Sequence, residues 1–235
     1  MNEMMSWWLS PNEAEALLLS LRVAFWSVLI GLPFGIAAAW LLARRTFFGK
    51  TLFDSLVHLP LVVPPVVVGY VLLITLGRKG FIGGWLYDTF GLSLIFTWRG
   101  AAIAAGVMSF PLMVRAIRLS FEAIDQRLEV AARTLGASRI DVFFTITLPL
   151  ALPGILAGIV LAFARALGEF GATITFVSNI PGETRTLPLA LFTFTQTPGG
   201  EDSAIRLVVI SLALAIAALI ASEMIARRVR RQIGS

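Results

Sequence analysis

Long apolar segments without a formal charge constrain this chain more than any other feature of its sequence. Residues 23–43 and 56–77 contain no Asp, Glu, Lys or Arg. A helix needs roughly 20 apolar residues to cross the ~30 Å hydrocarbon core of a bilayer, and both segments are long enough. Hydrophobic residues make up 57% of the 235-residue chain, well above their share in soluble domains. The sequence therefore predicts an all-α integral membrane protein.

Five spanning helices are predicted, and nothing between them indicates a second domain. The third candidate has a shorter uncharged part, which Trp98 and the snorkelling stems of Arg115 and Arg118 extend. The connecting segments show no strand alternation, flexible linker or low-complexity run. The prediction is a single transmembrane domain, residues 1–235, with spans at about 16–43, 54–77, 98–119, 149–177 and 204–226.

The distribution of basic residues predicts the orientation of these spans. Twelve Lys and Arg residues lie in or beside the first loop, the third loop and the C-terminal tail, whereas five lie on the opposite side. The positive-inside rule therefore places the segment 120–148 and the C-terminus in the cytoplasm, and the N-terminus outside. The net charge of +5 reflects these topological markers beside anionic lipid headgroups, so no nucleic-acid partner is predicted.

The segment 117–149 turns polar and has the pattern of two helices joined by a sharp turn. Apolar residues recur there at helical spacing: Ile117, Phe121, Ile124, Leu128, Ala131 and Leu135. Gly136 supplies a helix stop, and Ser138 with Asp141 predicts a capping box for the second helix. Leu148-Pro149 is predicted to end that helix. Such an elbow can carry force to a partner at the membrane surface, or it is an amphipathic helix that lies on the membrane.

The sequence offers no basis for catalytic or metal-binding chemistry. Cysteine is absent, and the single histidine, His58, lies in an apolar helix where a packed or backbone-bonded role is predicted. Gly49-Lys50-Thr51 is similar to the end of a phosphate-binding loop, but Arg44 stands where that loop needs a glycine. The chain is therefore predicted to be non-catalytic and to bind no metal or cofactor. Any energy from ATP must enter through another polypeptide.

Helix-breaking and charged residues inside the spans indicate where a passage or gate lies. Pro60, Pro64 and Pro65 cannot continue a regular helix, and a break at membrane depth must be lined by protein or by water. This favours a gate at the prolines. Arg165 and Glu169 lie four residues apart in the fourth span. Charges there are a functional hypothesis by default, but a mutually neutralising pair that holds two helices together is equally favoured.

The cytoplasmic segment resembles the EAA loop of ABC-importer permeases. It reads Glu129-Val-Ala-Ala-Arg-Thr-Leu-Gly136, then nine residues, then Ile146-Thr-Leu-Pro149. In that family the loop docks in a cleft of the ATPase subunit. The resemblance implies docking residues at Glu129, Ala131, Ala132, Gly136, Ala137, Ser138, Ile146, Leu148 and Pro149. Glu129 lies one position before the family's usual acidic position, which Val130 occupies here.

Three further segments, 59–70, 109–118 and 168–186, resemble the family of bacterial molybdate ABC-importer permeases. The resemblance covers about residues 15–228. It implies the type I, MetI-like permease fold in the bacterial inner membrane. The implied partners are a second copy of the chain, two cytoplasmic ATPase subunits that hold ATP and magnesium, a periplasmic molybdate-binding protein and membrane lipid. Molybdate would cross by alternating access, through a passage or gate that includes Pro60, Pro64, Pro65, Arg165, Glu169, Thr173, Thr175, Ser178 and Asn179.

Alternative functions remain open at this point. A sulfate or tungstate permease would have the same architecture, because tetrahedral dianions differ too little for the pore sequence to separate them. A secondary transporter driven by an ion gradient would be expected to show internal repeats and coupling-ion ligands at the midplane. No clear repeat is visible, and the elbow would then have no role. A structural scaffold would not explain the proline breaks.

Overall fold

The computed structural model describes residues 9–233, except for the side chains of residues 222 and 225–233. These residues form helices and connecting segments only. The helices are α1 (Pro11–Arg44), α2 (Lys50–Val62), α3 (Pro65–Leu76), α4 (Phe81–Phe90), α5 (Trp98–Ala123), α6 (Gln126–Thr134), α7 (Arg139–Val142), α8 (Leu148–Leu167), α9 (Gly171–Val177), α10 (Leu187–Gln196) and α11 (Glu201–Ile233). A π-helical turn, Phe143–Thr147, joins α7 to α8.

In the described part of the chain, four helical segments are long and apolar enough to cross a membrane. They are α1, α5, the continuous run Arg139–Leu167, and Glu201–Ala221 within α11. Helices α2 and α3 qualify only as a pair, which is bent by 114°. With that pair counted as one broken span, the prediction of an all-α membrane fold with about five spanning helices is confirmed.

The centre of the fold is the packing of α5 against α1 and α8. Small residues make this approach close: Ala24 of α1 and Ala101 and Ala104 of α5 are completely buried. On α8, a Cβ atom added to Gly158 would lie 3.1 Å from the carbonyl oxygen of Met113 in α5. Small residues at such contacts let membrane helices pack backbone to backbone. The elbow is therefore held between two spans that are fixed to each other.

The structure interrupts the first elbow helix, which the apolar spacing predicts to be continuous. Between α5 and α6 the chain leaves the helical path at Ile124 and Asp125. The Asp125 carboxylate starts the new helix, because its Oδ1 accepts a hydrogen bond from the N–H of Arg127 at 2.9 Å. The predicted apolar face is divided by this break. Phe121 is completely buried in α5, whereas Leu128 on α6 is exposed.

The prediction that Leu148-Pro149 ends the second elbow helix is wrong. Helical structure continues from Arg139 through the π turn to Leu167. The N–H of Leu148 donates to the carbonyl oxygen of Phe143, five residues back. This wider turn comes just before Pro149, whose ring would collide with the carbonyl group of the preceding turn in a regular α-helix. The second arm of the elbow is therefore continuous with a membrane span.

The predicted span 149–177 consists of two helices instead of one. Helix α8 ends at Leu167, and α9 starts at Gly171 after a short connection. Glycine on both sides of this connection, at positions 168 and 171, weakens a helical path. Glu169 within the connection is only 3% exposed, so protein lines the break.

Candidate coupling surface and passage

A sharp elbow joins α6 to α7. Gly136 has a φ of +93°, where an L-residue with a side chain is strained. A Cβ atom there would meet nothing within 4 Å, so the backbone conformation and not the packing requires glycine. The Ser138 Oγ accepts a hydrogen bond from the N–H of Asp141, and Asp141 Oδ2 accepts one from the N–H of Ser138, both at 3.2 Å. The predicted glycine turn and capping box are both present.

The elbow exposes large apolar side chains to its surroundings. The exposed fraction is 88% for Leu135, 70% for Ile140, 61% for Phe144 and 58% for Val130. Exposed apolar surface rimmed by polar residues marks a site of contact with another protein or with the membrane. None of the four is among the predicted docking residues. Apolar spacing identifies an apolar face, but it does not tell whether the chain itself covers that face.

The predicted docking residues are exposed to different degrees. Those that are exposed are Ala131, Gly136, Ser138 and Pro149, and those that are partly buried are Glu129, Ala132, Ala137, Ile146 and Leu148. The exposed members lie on both arms of the elbow. A partner that contacts them also meets the exposed apolar side chains.

Glu129 bonds to the helices beside the elbow. Its Oε1 lies 3.1 Å from Nη2 of Arg44 at the end of α1, and it accepts a hydrogen bond from Oγ1 of Thr147 in the π turn at 3.0 Å. The Arg44 side chain is 6% exposed, and its Nη2 also donates to the carbonyl oxygen of Ile124 at 3.1 Å. One carboxylate thus joins α1, α6 and the π turn. We call Arg44, Glu129 and Thr147 the elbow network.

The break between α2 and α3 lies at Val63 and Pro64. Helix α2 continues past Pro60 and ends at Val62, and Pro65 is the first residue of α3. Proline fits the first turn of a helix because its missing N–H would have no partner there. Pro64 and Pro65 therefore define the break, whereas Pro60 lies within a helix.

Helices α3 and α9 pack closely against each other. Gly69 of α3 is buried, and a Cβ atom added to it would lie 2.6 Å from the carbonyl oxygen of Ala172 and 2.8 Å from Cβ of Thr175. A Cβ atom on Gly171 would lie 2.8 Å from Cβ of Pro65. The predicted break at the prolines and the unpredicted break near Glu169 are thus in direct contact through small residues.

Arg165 and Glu169 form an ion pair, with Nη1 2.8 Å from Oε2. The other carboxylate oxygen of Glu169 accepts a hydrogen bond from the N–H of Ala172, also at 2.8 Å. Glu169 therefore neutralises Arg165 and satisfies the first turn of α9 at once. This geometry favours the mutually neutralising pair over a free cation on a passage.

The four polar candidates for the passage lie in different surroundings. Thr173 is 1% exposed, and Oγ1 of Thr175 donates to the carbonyl oxygen of Gly171 in its own helix at 2.8 Å. Asn179 is held by two neighbours, since its Nδ2 donates to Oγ1 of Thr193 at 2.8 Å and its Oδ1 accepts from Nε of Arg185 at 3.0 Å. Ser178 is exposed and has a φ of +67°.

Like the elbow network, two further ion-pair clusters are not anticipated by the sequence, because their partners lie far apart along the chain. Glu13 in the first turn of α1 is completely buried, and its Oε1 lies 2.8 Å from Nη2 of Arg206 in α11. Asp54 of α2 pairs with Arg118 of α5 at 2.9 Å. Nδ1 of His58 lies 2.9 Å from the carbonyl oxygen of Asp54, as predicted for a backbone-bonded histidine.

The chain is similar to bacterial transport permeases over most of its length. The molybdenum transport system permease protein ModB of Escherichia coli K12 is 66% identical over 226 residues, which are 96% of this chain and 99% of the relative. The protein of the same name in Haemophilus influenzae is 58% identical, over 94% and 97% of the two chains. The sulfate transport system permease protein CysT of E. coli is 37% identical, over 78% and 66%.

Solved structures and a family model agree on the class of membrane protein to which the chain belongs. A bacterial ABC transporter for the import of alginate aligns with a TM-score of 0.72 at 18% identity, over 98% of this chain and 83% of the other. The MetNI methionine ABC transporter aligns with a TM-score of 0.68 at 18% identity, over 97% and 99%. The fold is thus that of ABC-importer permeases. Residues 31–231 match the model of one family, and the chain belongs to it: the binding-protein-dependent transport system inner membrane components.

Proposed function

We propose that this chain is the permease subunit of an ABC importer that carries molybdate into the cytoplasm. The observation that carries the proposal is the 66% identity to the E. coli molybdenum permease over 99% of that protein's length. Sulfate is the second candidate substrate, since the named sulfate permeases are also similar, at 36% and 37% identity. Their lower identity and coverage favour molybdate.

The proposed assembly contains two copies of this chain, two cytoplasmic ATPase subunits and a periplasmic binding protein. ATP and magnesium belong to the ATPase subunits. Gly49 lies between two helices, α1 and α2, whereas a phosphate-binding loop joins a strand to a helix. The apolar side chains exposed on the elbow supply a surface that an ATPase cleft can cover.

Force from the ATPase has a continuous path towards the passage. Movement of the elbow at Gly136 turns the helical run Arg139–Leu167 as one rigid body, because no break separates α7 from α8. The end of that run is bonded to α9 through Arg165 and Glu169. Helix α9 packs on α3 beside the proline break. In this mechanism, closure of the two ATPase subunits on ATP opens the gate outward for the oxyanion. Hydrolysis of ATP returns the gate to the inward-facing state.

Uptake by proteoliposomes that contain the chain with its own ATPase and binding protein tests which anion is transported. We expect ATP-dependent accumulation of molybdate, with weaker uptake of sulfate. Tungstate serves as the closest structural competitor. Preferred uptake of sulfate would reassign the substrate, and uptake that depends on an ion gradient without ATP would reject the ABC-importer assignment.

The proposed orientation has the elbow in the cytoplasm, an external N-terminus and a cytoplasmic C-terminus. Residues 1–8 and 234–235, the chain ends, lie outside the described residues. Since the chain has no native cysteine, single cysteines report the topology cleanly. Cysteine at Ser93 or Ser203 should react with an impermeant maleimide added outside intact cells, and cysteine at Ser138 should react only after lysis. External labelling at Ser138 would reverse the orientation.

A further inference from the structure

A cavity of about 580 Å³ lies between the end of α1 and the elbow. One wall is formed by Ala37, Trp40 and the two arginines that follow. The opposite wall belongs to α6, α7 and the π turn. The cavity is bordered by the elbow network, because Arg44, Glu129 and Thr147 line it. Whatever occupies it contacts a membrane span and the elbow at the same time.

The cavity carries an excess of positive charge. Four guanidinium groups line it, those of Arg44, Arg45, Arg133 and Arg139, against the single carboxylate of Glu129. Glu129 is already paired with Arg44. In the part of the chain that the structure describes, the other three arginines have no carboxylate partner. The unbalanced charge is complementary to an anion.

The other end of the cavity is apolar and lies deeper along α1. The Trp40 ring packs edge-on against Phe143 of the π turn, with centroids 5.9 Å apart. Ala37 lies two helical turns before Arg44, about 10 Å along the helix axis, inside the predicted first span. Along α1 the lining therefore changes from Arg44 and Arg45 near the membrane surface to Ala37 at the depth of acyl chains, and the Arg45 guanidinium lies over the Trp40 ring, 5.2 Å from its centroid.

We propose that this cavity binds an anionic phospholipid of the cytoplasmic leaflet. Its phosphate would lie between Arg133, Arg139 and Arg45, and an acyl chain would lie along Trp40 and Ala37. Basic pockets between membrane helices on the cytoplasmic side are suited to such headgroups, and that leaflet supplies them. A free phosphate would leave the apolar end unfilled. A segment of an ATPase would have to enter the membrane to reach Ala37.

The bound lipid would wedge the elbow against the first span. Its phosphate would neutralise Arg139 on the second arm and Arg133 on the first arm. No carboxylate in the described chain neutralises either of them. Occupancy would therefore hold the two arms at a fixed angle to α1 and reinforce the elbow network beside it.

Native mass spectrometry of the purified full-length chain tests this site. Phosphatidylglycerol or phosphatidylethanolamine is titrated into detergent solutions of the wild type, of R133Q/R139Q and of a control, K50Q/R115Q. The control removes two positive charges from the same predicted side of the membrane, outside the cavity. Near a membrane surface each basic residue contributes about 1 kcal/mol to anionic-lipid binding, which two residues convert to about thirtyfold. We expect a loss of ten- to thirtyfold in phosphatidylglycerol affinity for R133Q/R139Q and less than threefold for the control.

A steric variant separates a lipid from other anions. Ala37→Phe fills the apolar end and leaves all four arginines in place, so it should also weaken phosphatidylglycerol binding, while glycerol phosphate should compete poorly with the lipid. Equal lipid binding by R133Q/R139Q and the control would overturn the proposal. So would efficient competition by glycerol phosphate, which indicates a soluble anion, or loss of the lipid on addition of the ATPase, which indicates a protein occupant. The uptake experiment above is independent of all three outcomes.

Discussion

The elbow leaves large apolar side chains exposed, whereas the α3–α9 contact pairs or packs its groups within the chain. On the elbow, Leu135 is 88% exposed and Ile140 is 70% exposed. At the α3–α9 contact, both carboxylate oxygens of Glu169 are engaged and Gly69 packs against backbone. Groups left unsatisfied within one chain are available to a partner, whereas groups satisfied internally hold two helices together. In the proposed mechanism the elbow is therefore the surface that receives force, and the inner contact is the part that transmits it.

The largest expected effect is at the elbow turn. Replacing Gly136 by Val places a β-branched residue at a φ of +93°, where an L-residue is strained by about 1–2 kcal/mol or more. The second arm would shift, because no packing contact at this position resists the change. We expect molybdate uptake and stimulated ATPase activity to fall at least about tenfold while the protein still inserts into the membrane.

Gly199 provides a matched control for that substitution. It has a φ of +78° and also has open space around its Cβ position, but it lies between α10 and α11, away from the elbow. Gly199→Val introduces the same kind of strain, so it should retain most of the uptake. Equal loss in both variants would show that strain alone, and not the elbow, is responsible.

The next effect concerns the inner ion pair. In Arg165→Gln the Glu169 carboxylate stays buried without its cation, which costs about 3–5 kcal/mol for pairs of this kind. Glu169→Gln should be milder, because Arg165 is 28% exposed and the new amide oxygen can still accept from the N–H of Ala172. The double variant should recover folded protein and part of the uptake. Fluorescence-detected size exclusion and uptake assays provide the two readouts.

A different result would move this pair into the passage. If both single variants are well folded but transport remains lost in the double variant, Arg165 acts on the passing anion. The comparison between the elbow and the inner contact would then need revision, since the inner contact would carry substrate as well as force.

The sequence pattern is sufficient to predict features that depend on neighbouring residues. The uncharged segments, the glycine turn at Gly136, the Ser138 capping box and the break at Pro64 and Pro65 are all determined by local chemistry. The continuity from α7 into α8 was missed because a π turn has no sequence rule that overrides the proline signal at Pro149. The interruption at Ile124 was missed because the apolar spacing continues through it.

Features that depend on distant residues could not be predicted. The place of Glu129 in a motif predicts a docking residue, but its bonds to Arg44 and Thr147 follow from how α1 packs beside the elbow. Likewise the partner of Glu13 lies 193 residues away. Resemblance to a family predicts the role of a segment. The direction in which each side chain points can be read only once the packing of the helices is known.

Substitutions in the elbow network should have an intermediate effect on uptake. Glu129→Gln keeps an acceptor for Thr147 but removes the charge that pairs with Arg44, so we expect uptake to fall about threefold to tenfold with normal insertion. This corresponds to about 1 kcal/mol for a partly exposed pair. In a double-variant cycle, Arg44→Gln and Glu129→Gln should be strongly non-additive. Glu122→Gln, which breaks an exposed pair within α5, is the control and should change uptake little.

Additive losses in that cycle would instead assign Glu129 to direct contact with the ATPase. Arg44 and Glu129 would then act on different steps, and the carboxylate would belong to the docking surface.

The smallest effect is expected where an apolar side chain is already exposed. Leu135→Ser should change the free energy of unfolding by less than about 0.5 kcal/mol, because Leu135 makes few contacts to lose. Leu189→Ser is the control, since that side chain is completely buried in α10 and its loss should cost about 2–5 kcal/mol. If the elbow receives the ATPase, Leu135→Ser should also weaken binding of the purified ATPase, by less than about fivefold for a typical interface residue. Strong unfolding caused by Leu135→Ser would mean that the chain itself covers this residue, and the exposed elbow surface would no longer explain how force enters the molecule.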